Sequence, residues 1–295
     1  MPSRPRPPHN RAFLVTIRPP RVDFYEAPDG RRLAVRVWNA PAAPRARVVF
    51  VHGITSHGGW YSRSCEHLAD AGFDAHFLDR RGSGLNSESP GDVDRWTTWI
   101  DDMAAYLEQL PKPRHVSLCG ISWGGKLATA VARRHPGLVQ SLGLICPGLY
   151  SPYDPGVLKR SALAARRPAR LQQRRVRIPL DRPELFTDTP ERRDFIARDP
   201  LTLRRVTWRF AREDRQLTKC ARAAAPYLHM PMLLMLAGRD RIVDNRRTRA
   251  FFNRTRSRLR TQIEYPNAAH TLEFEPDPEP YLADLTRWVA ATVDP

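Results

Sequence analysis

No stretch of the 295-residue chain is apolar over the roughly 18–20 positions that a membrane-spanning helix requires. The first apolar run, Ala12–Ile17, is too short for the core of a secretory signal, so a cytoplasmic protein is expected. Cysteine is sparse: Cys65, Cys119, Cys146 and Cys220 are widely spaced and form no C-x-x-C pair. That spacing signals neither a disulfide framework nor a metal site, and no cofactor or metal is expected. Cys119 and Cys146 close apolar runs and are expected as buried thiols. Lysine is nearly missing. Lys112, Lys126, Lys159 and Lys219 are the whole set, so almost every basic residue is arginine.

What remains is strongly basic, with a formal net charge of +17. Such an excess fits nucleic acid or an anionic membrane as partner. An Arg-, Ala- and Pro-heavy composition is also what a GC-rich coding sequence yields, with no polyanion involved. The excess is uneven: residues 151–230 hold 19 basic and 9 acidic side chains. The length and the hydrophobic fraction of 41% suit one large α/β domain, or one domain carrying an insertion.

Strand-like and helix-like runs alternate. Val22–Glu26 and Leu33–Trp38 flank the turn Ala27-Pro28-Asp29-Gly30 and read as a hairpin. Strands are expected at Arg47–Val51, Asp74–Leu78, the run before Ser122, Leu142–Cys146, Met232–Ala237 and Gln262–Tyr265. Helices are expected at Trp60–Ala71, Val93–Leu110, Trp123–Arg134, Asn245–Asn253 and Pro280–Thr292. Alternation of this kind needs crossover connections and a mostly parallel central sheet, here with an antiparallel N-terminal hairpin and helices on both faces. From about Pro147 to His229 the rhythm breaks, with no clear strand. Within it, Val206–Phe210 is β-prone while Leu203, Val206 and Phe210 have helical spacing. The expected division is an N-terminal arm at 1–20, disordered or loosely attached, a core at 21–146 and 230–295, and an Arg-rich helical cap insertion at 147–229.

Gly120-Ile121-Ser122-Trp123-Gly124 sits between an expected strand and an expected helix. A Gly-x-Ser-x-Gly in that context is a nucleophile elbow. Side chains at the flanking positions would clash in so tight a turn, and glycine tolerates its angles. A serine hydroxyl needs a base within hydrogen-bond reach, and the base an orienting carboxylate. In this architecture the order is Ser, Asp or Glu, then His. Asp240 follows the strand Met232–Ala237, and His270 follows the strand Gln262–Tyr265, so all three meet at one edge of the sheet. Asp244 is the competing carboxylate and reads otherwise as a cap for the helix at Asn245. The oxyanion donors are expected to be the backbone N–H groups of Trp123 and of Ile54, in the loop His52-Gly53-Ile54-Thr55-Ser56-His57-Gly58-Gly59.

These residues resemble the α/β-hydrolase-fold serine hydrolases of the monoacylglycerol lipase and lysophospholipase type, grouped with serine aminopeptidase-like domains. The resemblance rests on His52-Gly53 with His57, Asp79-Arg80-Arg81-Gly82-Ser83-Gly84, Gly120–Gly125, Gly238-Arg239-Asp240 and Ala269-His270, spread over residues 22–292. It implies the α/β-hydrolase fold, a small-molecule acyl ester as substrate, and a Ser122, Asp240, His270 triad with Ile54 and Trp123 as oxyanion donors. The chain departs from the family at Thr55, where glycine is usual, at Ser83 and Asn86, and in the arginine-dominated 158–177 segment.

Other readings stay open. A peptidase of the prolyl iminopeptidase kind also places Trp after the serine, but resembles His-Gly-Gly-Pro-Gly in the oxyanion loop. A haloalkane dehalogenase places aspartate where Ser122 stands. A non-catalytic binding protein on a hydrolase scaffold is the rival from another class. The run Arg166–Arg177 reads as a solvated helix face, a surface for anionic lipid headgroups or acidic substrates, or a nucleic-acid site. The last is disfavoured because the run lacks stacking aromatics. Trp60, Tyr61 and Trp123 read as acyl-pocket walls or as core, and Lys126 as a structural or surface residue.

Overall fold

The computed structural model describes residues 18–111, 115–153 and 169–293. Its centre is an eight-stranded sheet of order β1-β2-β4-β3-β5-β6-β9-β10. The strands are β1 (Arg21–Glu26), β2 (Arg32–Trp38), β3 (Arg47–Val51), β4 (Asp74–Leu78), β5 (Val116–Ile121), β6 (Ser141–Ile145), β9 (Met232–Ala237) and β10 (Arg260–Tyr265). β1 and β2 form the antiparallel hairpin, and β2 also runs antiparallel to β4. Every pairing from β4 through β10 is parallel. Gly30 closes the hairpin turn at φ +81°, a conformation glycine adopts without penalty.

The middle strands read as continuous apolar runs because parallel strands are covered on both faces. Every residue of β3, β5, β6 and β9 is buried, whereas β1 and β10 at the edges are largely open. The helices are α1 (Ser62–Asp70), α2 (Trp96–Gln109), α3 (Trp123–Arg134), α4 (Ala169–Gln172), α5 (Pro190–Arg198), α6 (Trp208–Arg222), α7 (Asn245–Asn253) and α8 (Glu279–Val293). α1 packs against α8, and α2 and α3 pack against α6. The helix expected from Trp60 begins instead as a 3₁₀ turn at Gly58–Tyr61. The one expected from Val93 starts at Trp96.

The stretch in which no strand was expected contains two. β7 (Arg175–Arg177) and β8 (Arg205–Thr207) form a small antiparallel sheet with Val176 opposite Val206. Three residues carry too little alternation to be read, and the arginines flanking Val176 are exposed. The two tendencies of Val206–Phe210 are both realised in succession. Thr207 ends the strand and its side chain caps α6, accepting from the Phe210 N–H at 3.0 Å.

The arm expected at 1–20 lies outside the described residues up to position 17, as do Arg166 and Arg167 of the arginine run. Arg18 is held: its carbonyl accepts from the Trp38 indole at 3.1 Å and its N–H donates to Glu66 at 2.8 Å.

Candidate active site

β5 delivers the chain into a single strained residue. Ser122 stands at φ 52°, ψ −121° between the strand and α3. A non-glycine residue there is costly and persists only when its surroundings over-determine it. They do: the Ser122 N–H donates to Ile145 O at 3.0 Å, and its carbonyl accepts from Gly125 and Gly148 at 2.9 and 2.6 Å. The elbow glycines therefore serve space rather than backbone angle, since none of them has positive φ. A Cβ on Gly124 would lie 2.2 Å from Val51 O, and one on Gly120 2.5 Å from Gly124 O.

Ser122, Asp240 and His270 come together. The loop after β9 turns Asp240 inward, where its Oδ1 accepts from the N–H groups of Ile242 and Val243 at 2.7 and 2.9 Å. Its Oδ2 lies 2.7 Å from His270 Nδ1. A carboxylate only accepts, so Nδ1 carries the imidazole proton. Nε2 is then an acceptor, and it lies 2.9 Å from Ser122 Oγ. The loop bearing His270 is fastened on both sides. Ala269 N–H donates to Glu275 at 2.8 Å and Thr271 N–H to Phe186 O at 2.9 Å. Asp244 takes the cap role, accepting from Arg247 N–H at 3.0 Å at the start of α7.

The buried Cys146 thiol joins this cluster; one ligand atom from each of Cys146, Asp240 and His270 falls within 4.8 Å of the others. Burial, and then the Asp240 charge, push the thiol well above its usual range. It is a protonated donor beside the carboxylate rather than a thiolate ligand. Cys119 is buried as expected, and all four cysteines are free.

The loop after β3 passes directly over the serine. A Cβ on Gly53 would lie 3.2 Å from Ser122 Cβ and 3.6 Å from its Oγ. The Ile54 amide N–H has no hydrogen-bond partner among the described residues. Trp123 heads α3, so its N–H has no intrahelical acceptor. Among the described residues neither N–H has a hydrogen-bond partner. His52 turns inward: its Nε2 accepts from Arg80 N–H at 3.1 Å and its Nδ1 donates to Gly53 O at 2.8 Å. Burial and then the Arg80 charge hold its pKa well below the usual range, so it is neutral. Asp79 pins the same loop, accepting from Gly58 N–H at 2.7 Å, from Leu85 N–H at 2.8 Å and from Arg36. Asn86, at a family-departing position, accepts from Ala34 N–H at 2.9 Å.

The aromatic residues near the site are core. Trp60 packs on Phe186, Phe195 and Phe274 and donates to Asp199 at 2.7 Å, while Tyr61 stacks on Phe77. Trp123 meets Trp99 and Phe210, and its indole donates to Asp214 on α6 at 2.5 Å. Lys126 is structural, 2% exposed and 2.9 Å from the same carboxylate. Sequence reading missed Asp199, Asp214 and Arg80 as partners of the site. The first two lie in the segment between β6 and β9, and spacing cannot register contacts so distant in sequence. A cavity of about 810 Å³ lined by Tyr265, Pro266, Ala268, Leu272, Pro276 and Tyr281 borders the His270 loop, and Ser122, Asp240 and His270 are not among its walls. Among the described residues no helix is long and apolar enough to cross a membrane.

A family model described as serine aminopeptidase, S33, matches residues 42–277. A monoacylglycerol lipase of Mycolicibacterium smegmatis is 25% identical over 89% of this chain and 94% of its own length. A mouse monoglyceride lipase is 25% identical over 92% of this chain and 93% of its own. Among solved structures, a soluble variant of the Saccharomyces cerevisiae monoglyceride lipase in complex with a substrate analog superposes with a TM-score of 0.83, at 20% identity, covering 95% of this chain and 98% of that one. The Paleococcus ferrophilus monoacylglycerol lipase gives 0.78 at 24% identity, over 89% of this chain and 100% of that one. These structural likenesses establish the α/β-hydrolase fold.

Proposed function

The chain belongs to the serine aminopeptidase, S33, family, and from that premise we propose that it is a cofactor-free carboxylic ester hydrolase acting on monoacylglycerols, lysophospholipids or similar acyl esters. The observation that carries the reading is the unbroken line from Ser122 Oγ to His270 Nε2 at 2.9 Å and from His270 Nδ1 to Asp240 Oδ2 at 2.7 Å. His270 takes the Ser122 proton as the oxygen attacks the ester carbonyl. The N–H groups of Ile54 and Trp123 hold the resulting oxyanion. The alcohol leaves with the proton from His270. Water, deprotonated by the same imidazole, then releases the acid and restores Ser122. Asp240 keeps the Nδ1–H tautomer and stabilises the imidazolium.

The described part of the 147–229 segment, residues 147–153 and 169–229, acts as an insertion on the core that residues 21–146 and 230–295 are expected to form. Three contacts support that division: Leu203 N–H to Thr55 O at 2.9 Å, Asp199 to His57 at 2.9 Å, and Asp214 to Trp123 at 2.5 Å. Arg174, Arg175 and Arg177 are exposed on that insertion and favour anionic headgroups or an anionic lipid surface.

The test is a panel of short p-nitrophenyl esters, monoacylglycerols and lysophospholipids, with a proline arylamide for contrast, read against Ser122→Ala. Ester turnover and fluorophosphonate labelling that vanish in the variant support the reading. Full turnover by Ser122→Ala overturns it.

A further inference from the structure

Arg80 lies two residues past the C-terminal end of β4 and is 5% exposed. Its guanidinium Nη1 donates to Gly53 O at 2.6 Å and its Nη2 to Ile54 O at 2.5 Å. Those two carbonyls belong to the peptide units on either side of the Ile54 residue. The Gly53 carbonyl and the Ile54 N–H are two ends of one planar amide. A cation on that oxygen draws electron density from the nitrogen end, strengthens the N–H as a donor and fixes the plane in which it points. The same guanidinium carbon lies 4.7 Å above the Trp123 ring, on the residue that supplies the other backbone donor. One side chain thus holds the Gly53–Ile54 peptide and packs on the ring of Trp123.

Its partners are all neutral groups: the two carbonyls, the Trp123 ring and His52, whose Nδ1 lies 2.9 Å from Nη1. Among the described residues no carboxylate lies within ion-pair distance of Arg80, and its buried Nε has no hydrogen-bond partner. Burial pulls its pKa down, with Asp79 and Asp214 opposing only through space. A buried cation without a paired anion is costly. The charge that would complement it is the one that develops on the substrate carbonyl oxygen beside Ser122.

We propose that Arg80 is a positioning residue of the oxyanion hole, orienting and polarising the Gly53–Ile54 peptide so that its N–H stabilises the tetrahedral intermediate. The proposal rests on the hydrolase reading above. The test compares the wild type with Arg80→Met, which keeps length without charge, and Arg80→Lys, which keeps charge without the two-pronged geometry. Each is assayed for kcat and KM on p-nitrophenyl butyrate, for inhibition by an alkyl boronic acid that forms a tetrahedral serine adduct, and for its melting temperature. A single oxyanion donor carries about 100- to 1000-fold in kcat, and a weakened donor accounts for part of that. Arg80→Met is therefore expected to lose about 10- to 100-fold in kcat, with KM within about threefold, and boronate inhibition is expected to weaken in step with kcat. Arg80→Lys falls between. A folded Arg80→Met with kcat near wild type overturns the proposal. So does a fall in kcat that leaves boronate affinity untouched, or failure of both variants to fold, which makes Arg80 structural. Ester turnover retained in Ser122→Ala would instead overturn the hydrolase reading itself.

Discussion

Asp214 on α6 accepts from the Trp123 indole at 2.5 Å and from the Lys126 ammonium at 2.9 Å, so the helix that starts beside Ser122 is tied to the segment between β6 and β9. Thr218, one turn further along α6, accepts a third bond from Lys126 at 3.0 Å.

Cutting that tie takes a carboxylate away from a buried cation. Asp214→Ala should lower stability by about 3–5 kcal/mol, because the buried Lys126 ammonium loses the carboxylate it donates to. The double variant Lys126→Met, Asp214→Leu should recover most of the loss, since a well-packed apolar pair replaces the ions. Urea unfolding of the three proteins checks this. A single variant as stable as wild type would show the pair to be unimportant.

Asp240 and Asp244 are four residues apart and do different work. Asp240→Asn removes the charge that sets the His270 tautomer, and kcat should fall by roughly 10⁴-fold with the fold intact. Asp244→Ala removes a helix cap, costing about 1 kcal/mol of stability and leaving kcat near wild type. Steady-state kinetics and thermal melts on the two variants separate the roles.

The glycines of the site should divide in the same way. A Cβ at Gly53 meets Ser56 Oγ at 3.0 Å and Ser122 Cβ at 3.2 Å, side-chain atoms that yield slightly. Gly53→Ala is expected to fold and to lose much of its kcat, because the adjustment falls on the nucleophile. A Cβ at Gly124 meets the Val51 carbonyl oxygen at 2.2 Å, which cannot move without breaking the sheet. Gly124→Ala should lose at least about 3 kcal/mol of stability, the upper end of ordinary overpacking. Circular dichroism alongside ester turnover distinguishes the two outcomes.

Glu273 gives stability a pH dependence. Its carboxyl sits at the start of α1, accepting from the Arg63 N–H at 2.8 Å and from Ser64, and is 3% exposed. Burial raises its pKa from 4.5 to about 7, against the pull of Ser64 and Arg63. Between those two values the folded protein holds a proton that the unfolded chain has released. Stability from this group therefore declines as pH rises through that window. Glu273→Gln lacks the titration, so the stability of wild type relative to the variant should fall between pH 5 and pH 7. Melting temperatures measured in parallel across that range test the slope; a constant difference would refute it.

Much of the scaffold was legible because its signals are local. β3, β4, β9 and α3 have the boundaries their apolar runs imply, and the order Ser122, Asp240, His270 could be read from strand ends alone. β7 and β8 were not legible, since three-residue strands between exposed arginines owe their pairing to each other. The glycines of the elbow were recognised for the right position and partly the wrong reason: the positive φ falls on Ser122, and the glycines make room. Arg80 was visible only as part of a motif, because its partners are carbonyl oxygens, which every residue possesses.

By itself the sequence determined which residues alternate between strand and helix, where the tight turn falls, and which serine, aspartate and histidine follow strand ends. Periodicity and turn chemistry act between neighbours in the chain. The tertiary structure alone decided what each long-range polar group faces. It put Asp214 under Trp123 and Lys126, Glu273 at the head of α1, and the buried Arg80 against the Gly53–Ile54 peptide. Those contacts join residues 27 to 210 positions apart, and only the closed sheet with its packed segments brings them within hydrogen-bond distance.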